Sequence, residues 1–347
     1  MNAYDSYSLD LTQIADRRRV GLWINRPDFE VVGADGVTLD LQIITPLTDP
    51  FLLQKLKPGT FTILDIVDGY LVEDVSFVKD YLRYFLRSSK KEALRKPKRF
   101  SKSLKELCSK VDLIVVASHE QANIARVYNA NVTIVRDSHD ELGPPLQVKA
   151  VNKKEGFDIF WEGLGFTLFH FEELANDLGK FLQEKNSTLN LVTNETFPRY
   201  ANKFGKIQSR ELIQRIFGPA SKHVHIHPWS QEKITEVAAK CDFGVIPILE
   251  NDKFARLKPE NKLLIYWRLG LQTLFSDTPS YVRLADEVRV PEYSVKSGNW
   301  AEKLEEISTG PLYLNENMLN VQEYLLRFHS EEVILAQWKK ALNSLKG

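Results

Sequence analysis

The sequence predicts an α/β fold made of two consecutive parallel-sheet domains followed by a helical tail. Three observations carry this. Short apolar runs of strand type alternate with helical patterns along most of the chain, which is the signature of βα repetition. Runs such as LIVVA (113–117) are apolar on both faces, as strands of a parallel sheet covered by helices must be. The chain has 347 residues, 43% hydrophobic and 27% charged, an ordinary globular composition at the length of about two domains.

In the first half, strand-type runs occur at VGLWI (20–24), LQIITP (41–46), FTILDIV (61–67), VDLIVVAS (111–118) and NVTIVRD (131–137). A long helical region, Val75 to Leu107, lies between the third and fourth. The pattern then breaks at SHDELGPPLQVKAVNKKEG, where Gly143, Pro144 and Pro145 mark a linker. A second block follows: FDIFW (157–161), a helix through Leu182, LNLVTN (189–194), a helix near Ser209–Phe217, HVHIHP (223–228), a helix at Gln231–Lys240, FGVIPI (243–248) and QTLFSD (272–277). The tail from Ala301 reads as helical, with apolar positions at Leu319, Val321, Leu325 and Leu326. The expected domains are therefore 1–150, 151–300 and a helical 301–347 that crosses back to the first.

Lys and Arg balance Asp and Glu at 46 each, so no global charge points to nucleic acid. Locally, residues 83–110 hold eleven Lys/Arg against Glu92 and Glu106. With Phe100 the one aromatic in its core, this segment suits a solvated surface or anionic lipid better than nucleic acid. Cys108 and Cys241 lie far apart without a CxxC, which suits a reducing compartment. The first twenty residues lack a signal-peptide core, and no stretch approaches the roughly 18 apolar residues that span a bilayer. The expectation is a cytoplasmic protein, with contact at the inner membrane face through 83–110.

The stretch KFARLKPENKLLIYWRLGLQTLFSDTPSY (253–281) concentrates positive charge before a helix. Proline is favoured at the first helical position, so the pattern predicts Pro259 at N1 and the amides of Glu260 and Asn261 in the first turn. The helix dipole and the cations Arg256, Lys258 and Lys262 then make an anion site, with phosphate the commonest occupant. Leu263, Tyr266, Trp267 and Gly270 recur at helical spacing, predicting one face on the sheet. Gly163 and Gly165 in WEGLGF lie between a strand and a helix, where they let backbone approach a ligand. The bland alternatives are a solvated loop and a steric turn.

The order WEGLG, HIHPWSQEKITEVAAKCDFGVIPI and KPENKLLIYWRLGLQTLFSDTPSY resembles the donor half of GT-B glycosyltransferases, most clearly bacterial sugar transferases that use nucleotide-sugars. The resemblance covers roughly 156–281, and the first half by architecture. It implies two Rossmann-like domains facing a central cleft. A nucleotide-sugar would be held by Gly163, Gly165, Arg256, Lys258, Glu260, Asn261 and Lys262, with Trp229 near the base. Many retaining members carry a glutamate five residues before the terminal glycine and another eight residues earlier; here these are Ile265 and Leu257, which leaves the stereochemistry open. His227-Pro228 is similar to a pair in CMP-sugar transferases, so UDP-, GDP- and CMP-linked donors all stay open.

Inverting transfer needs a base for the acceptor hydroxyl. Asp65 and Asp68 at one strand end, and Asp137, Ser138, His139 and Asp140 at another, offer carboxylates; Asp68, Asp137 and His139 are the candidates, against turn-forming roles. A Ser-His-Asp hydrolase at 138–140 fails because adjacent residues rarely converge and GxSxG is absent. GxxxxGKS/T and GxGxxG are absent too. His223, His225 and His227 alternate along one strand; without a convincing further ligand they read as a polar strand face, and no metal or resident cofactor is expected. The reading is a metal-independent glycosyltransferase acting on a glycan or lipid-linked acceptor in bacterial surface polysaccharide synthesis. A nucleotide-sugar 2-epimerase of the same fold and a non-catalytic partner subunit are the alternatives.

Overall fold

The structure, a computed structural model, describes residues 4–6, 17–24, 26, 41–45, 60–72, 77–87, 98–149, 151, 155–198, 205–309 and 316–346. The chain divides into two compact units. The first is Met1–His139 with Lys253–Pro259 and Phe328–Gly347; the second is Asp140–Asp252 with Glu260–Arg327.

The first unit holds a parallel sheet in the order β1 (Tyr4–Ser6), β2 (Leu41–Ile44), β3 (Phe61–Ile66), β4 (Leu113–Val116) and β5 (Val132–Ile134). Side chains alternate across a strand, so apolar runs supply two buried faces. Leu64, Ile66, Ile114 and Val116 lie in one core cluster with Tyr84 of α1 (Phe77–Arg87), Leu104 of α2 (Phe100–Cys108) and Ala122 of α3 (His119–Ala125). Ile63, Leu113 and Val115 lie in the other with Val20, Trp23 and the residues Ile334, Trp338, Ala341 and Leu342 of a C-terminal helix, Glu331–Asn343. Ser118 starts α3 with a capping box closed by Gln121. Asp80 of α1 is buried and accepts hydrogen bonds from the Ser101 amide (3.0 Å) and from Arg99 Nε (3.0 Å), so it caps α2 from a neighbouring helix.

Two expectations change here. VGLWI is a 3₁₀ turn (Val20–Leu22), not a strand. The Trp23 amide bonds back to the Val20 carbonyl (3.2 Å), and residues three apart, Val20 and Trp23, reach the core together. The helical region expected over 75–107 contains α1 and α2; positions 88–97 lie outside the described residues.

The second unit holds a six-stranded parallel sheet in the order β10-β7-β6-β11-β12-β13. The strands are β6 (Asp158–Glu162), β7 (Thr188–Thr193), β10 (Val224–Pro228), β11 (Phe243–Ile246), β12 (Gln272–Ser276) and β13 (Ser294–Val295). A small antiparallel pair, β8 (Thr196–Pro198) and β9 (Lys206–Gln208), lies between β7 and β10 in sequence. Helices α4 (Ala175–Glu184), α5 (Ser209–Phe217), α6 (Gln231–Lys240), α7 (Asn261–Arg268) and α8 (Pro279–Glu287) connect the strands, and α9 (Trp300–Thr309) and α10 (Glu316–His329) follow. Helix α11 is the Glu331–Asn343 segment already placed in the first unit's core.

Helix α7 departs from the expected one-sided burial: Leu263 through Arg268 are all buried. A helix apolar on every side belongs in an interior. Arg268 is the exception by type, and it is satisfied by ion pairing with Asp140 and by the Gly143 carbonyl (2.6 Å). Helix α7 ends where Gly270 turns at φ 75°, and an added Cβ there would stand 2.6 Å from the Gln147 carbonyl oxygen.

Candidate functional site

The strand order of the second unit locates the site. The chain lays down β6, moves outward to β7 and β10, then returns to the other side of β6 for β11, β12 and β13. At such a reversal the connections leave in opposite directions, and a crevice opens beyond the carboxyl ends of the two central strands. Here those strands are β6, ending at Glu162, and β11, ending at Ile246.

Gly163 and Lys262 meet at this point. The Lys262 ammonium donates to the Glu162 carbonyl at 2.7 Å and lies 4.6 Å from the Trp161 ring centroid. A Cβ on residue 163 would stand 2.8 Å from Lys262 Nζ and 2.8 Å from the Trp161 ring, so a side chain there would displace the cation. Gly165 donates its amide to Asn194 Oδ1 (3.3 Å), and a Cβ would fall 2.3 Å from the Phe197 ring. Both glycines are needed for close packing at the mouth of the crevice.

Lys262 is the second residue of α7. The Leu264 amide bonds to the Glu260 carbonyl (3.1 Å), which makes Glu260 the cap and Asn261 the first helical residue. Pro259 therefore precedes the helix, contrary to its predicted place at N1. The amides of Asn261 and Lys262 lie at the positive end of the helix dipole, and the Lys262 ammonium adds a full charge beside them. This end of α7 is suited to an anion.

A buried polar cluster surrounds it. The Glu162 amide donates to the Tyr266 hydroxyl (2.8 Å), and Glu260 Oε1 accepts from Arg283 Nη2 (2.8 Å). Burial, reinforced by the Glu162 carboxylate, holds the Tyr266 hydroxyl well above its ordinary pKa. Burial also raises Tyr281, with the Glu260 and Glu162 carboxylates adding to the shift. Trp229 is half-buried just past β10, its amide donating to the Thr193 carbonyl (3.1 Å). Ile265 and Leu257 stand as apolar side chains where the resemblance expects glutamates, Ile265 buried in α7.

The remaining predicted residues belong to the first unit. Arg256 ends a single helical turn, Lys253–Arg256, and is partly buried. Lys258 pairs with Asp68 at 3.4 Å, both about one-third exposed, and lies 5.5 Å from the Phe254 ring centroid. Phe254 in turn packs edge-on against Tyr70 (5.3 Å). The cations predicted to act together are thus sorted between units: Arg256 and Lys258 with the first, Lys262 with the second. Asp137, read as a base, is 3% exposed and held by Arg19 at 2.8 Å, and Arg19 also binds Asp65 at 2.6 Å. Burial pushes the Asp137 carboxyl up and Arg19 pulls it down. This is an interior ion-pair arrangement. His139 is likewise buried.

His227 Nε2 lies 3.0 Å from Asn190 Oδ1, an oxygen that accepts, and burial followed by the nearby His225 lowers the His227 pKa. His223 closes a 3₁₀ turn, so the alternating strand pattern holds for His225 and His227. Among the described residues no group of three His, Cys, Asp or Glu is placed to hold a metal ion.

Glu162, Tyr281 and Arg283 were not singled out from sequence, and Tyr266 was read as a packing position alone. For Glu162 a signal existed: an acid at the end of an otherwise apolar strand, immediately before a glycine. Tyr281 and Arg283 lie in α8 and are brought in by tertiary packing alone.

No family model matches the chain, and no curated protein matches it. Solved structures do. A TarM crystal structure superposes with a TM-score of 0.58 at 10% identity, over 87% of this chain and 54% of that one. A TarM variant from S. aureus in complex with fondaparinux, alpha-GlcNAc-glycerol and UDP gives 0.54 at 12%, over 87% and 55%. An alpha,alpha-trehalose 6-phosphate synthase from Burkholderia multivorans gives 0.56 at 10%, over 88% and 70%. The chain spans about half the length of the TarM structures it matches. Two α/β units, each with a parallel sheet, and this likeness give the chain the GT-B fold.

Proposed function

We propose that the chain is a glycosyltransferase that binds a nucleotide-sugar in its second unit and transfers the sugar to a glycan or lipid-linked acceptor in surface polysaccharide synthesis. One observation carries the reading: Lys262 and the start of α7 stand at the β6/β11 reversal, packed against Gly163. A diphosphate there would meet an ammonium, helix amides and a helix dipole without a side chain in the way. The presence of UDP in the TarM variant complex agrees with this choice of ligand.

In transfer, the acceptor oxygen attacks the anomeric carbon, the bond from that carbon to the phosphate oxygen breaks, and the acceptor proton leaves. Lys262 and the helix end stabilise the charge that develops on the departing diphosphate, so catalysis rests on positioning and electrostatics without a metal. Asp68, partly exposed beside Lys258, is the remaining candidate base; Asp137, enclosed with Arg19, is assigned to the fold.

The same reading includes contact with an anionic membrane surface. On α1, Phe77, Val78 and Leu82 are 62%, 72% and 44% exposed, while Asp80 and Tyr84 anchor the helix inward. Exposed cations Lys102 and Lys110 lie on and beside α2, which packs on α1. Among the described residues no helix is long and apolar enough to cross a membrane.

The test is a thermal-shift panel of UDP, GDP, CMP and dTDP on the full chain, repeated with Lys262→Ala. A ligand at a hundred times its Kd adds about 2.7 kcal/mol, a rise of roughly 5 to 10 °C. One nucleotide should stabilise the wild type and lose its effect in the variant. A flat panel would sink the reading and favour a non-catalytic partner subunit, while turnover of the donor without acceptor would favour an epimerase.

A further inference from the structure

The cluster beside Lys262 contains two polar groups that the fold does not use. Glu162 is 9% exposed and Tyr281 is 3% exposed. Among the described residues no hydrogen bond or ion pair reaches the Glu162 carboxylate, and no hydrogen bond reaches the Tyr281 hydroxyl. The hydrogen bonds that other side chains make with Glu162 use its backbone: the amide donates to Tyr266 and the carbonyl accepts from Lys262. Glu260 differs in that its Oε1 is held by Arg283 at 2.8 Å. Largely buried polar groups are almost always satisfied, and a carboxylate with so little access to water is costly to leave without a donor. When two such groups occur together at the carboxyl end of the central strand of a reversal, the missing partner belongs to the ligand.

The chemistry narrows that partner. A phosphate would be repelled by the carboxylate. A metal ion would need further ligands, and none of the described residues form such a group. What remains is a neutral donor, and a carboxylate whose charge reaches a tyrosine hydroxyl suits hydroxyls on a ring. We propose that Glu162, with Tyr281, accepts ring hydroxyls of the bound nucleotide-sugar and so acts as a positioning and selectivity residue. Lys262 holds the diphosphate on one side of Gly163, and Glu162 reads the hydroxyls next to it. The inference rests on the donor reading above but adds a contact that reading does not need. The hydroxyls come from the ribose or from the transferred sugar.

The experiment measures Kd by calorimetry for the nucleotide selected by the panel, its 2′-deoxy form and its glucose and N-acetylglucosamine conjugates. It uses wild type, Glu162→Gln and Tyr281→Phe, substitutions that keep shape and fold. Loss of a charge-assisted hydrogen bond weakens binding by about tenfold or more. If Glu162→Gln weakens the conjugates tenfold and leaves the bare nucleotide unchanged, the sugar is the source. If it weakens the ribonucleotide as well and erases the preference over the 2′-deoxy form, the ribose is the source. Tyr281→Phe should follow the same ligand to a smaller degree. Unchanged affinities in both variants, with the wild type binding, would mean that only water occupies these groups; the inference then falls and the donor reading stands. If the wild type binds no nucleotide, both fall.

Discussion

Replacing Arg19 by Met should be the most destabilising single change to the first unit that leaves its volume nearly intact. The guanidinium is fully buried and donates to Asp65 from Nε (3.0 Å) and Nη2 (2.6 Å), to Asp137 from Nη1 (2.8 Å), and to the Val135 carbonyl. Trp338 of α11 lies over it at 5.7 Å, so one side chain joins β3, the segment that follows β5 and the C-terminal helix. Methionine fills much of the space, which keeps the cavity cost low, but it leaves two carboxylates without their cation. Breaking a buried pair in this way costs about 3–5 kcal/mol. With m-values of about 1–3 kcal/mol/M in urea, the midpoint should fall by on the order of 2 M.

The pH dependence has a definite sign. Asp137 already titrates above its ordinary value because burial outweighs Arg19. The folded state therefore binds its proton where the unfolded chain does not, and its contribution falls as pH rises above the unfolded value near ~3.9. Removing Arg19 deletes the opposing attraction and widens that window toward neutrality. The deficit of the variant should be largest at pH 7 to 8 and shrink toward pH 5. Hydrogen-exchange mass spectrometry of peptides from β3 and β4 along a urea series reports the first unit alone. A loss below about 1 kcal/mol at neutral pH, or one of equal size at pH 5, would refute the assignment of Arg19 and its carboxylates to a structural role.

Two further changes test other parts of the structure. Gly163→Ala places a methyl 2.8 Å from Lys262 Nζ and from the buried Trp161 ring, so the ammonium should leave the Glu162 carbonyl and nucleotide affinity should drop about tenfold by calorimetry, with an overpacking cost of about 1–3 kcal/mol in thermal unfolding. Full affinity in this variant would remove Lys262 from the site. Serine at Phe77, Val78 and Leu82 together should abolish flotation with phosphatidylglycerol vesicles while each change alters stability by about 0.5 kcal/mol or less, as exposed positions do; unchanged flotation would exclude α1 from membrane contact.

Much of the fold was legible because a parallel sheet writes itself into sequence. Ile63, Leu64 and Ile66 must satisfy two core faces at once, and the same is true of Leu113 through Val116. At strand length, a run apolar on both faces fits little besides a strand covered by helices on either side. VGLWI shows where the signal fails. Five residues of this kind fit a strand or a turn equally well, and the choice is made by contacts from Trp338 and its helix, distant in sequence. In α7 the failure is of another kind. When every position from Leu263 to Arg268 is buried, spacing carries no facial information, so the helix was readable but its surroundings were not. Gly163, Gly165 and Lys262 could be read because glycine between strand and helix, and a cation at a helix start, are local features. The Glu162–Tyr266 bond joins residues 104 apart, and no local pattern announces it.

The cations of the opening loop show how far local reading extends. Lys258 and Lys262 are one helical turn apart in sequence and look like a single electropositive feature. The structure gives them different neighbours. Lys258 faces Asp68 across 3.4 Å with both groups about one-third exposed, a pair worth at most ~1 kcal/mol and easily exchanged for another anion. Lys262 is fixed from three directions: its ammonium on the Glu162 carbonyl, its charge against the Trp161 ring, and its backbone in the first turn of a buried helix. A group so restrained has little conformational freedom left to lose when an anion arrives, so more of the electrostatic attraction appears as affinity. The charge count of the loop was visible in sequence; which charge is preorganised depends on Gly163 and Trp161, a hundred residues away. That is why the nucleotide experiment is posed on Lys262, and why Lys258 and Asp68 are treated as one pair.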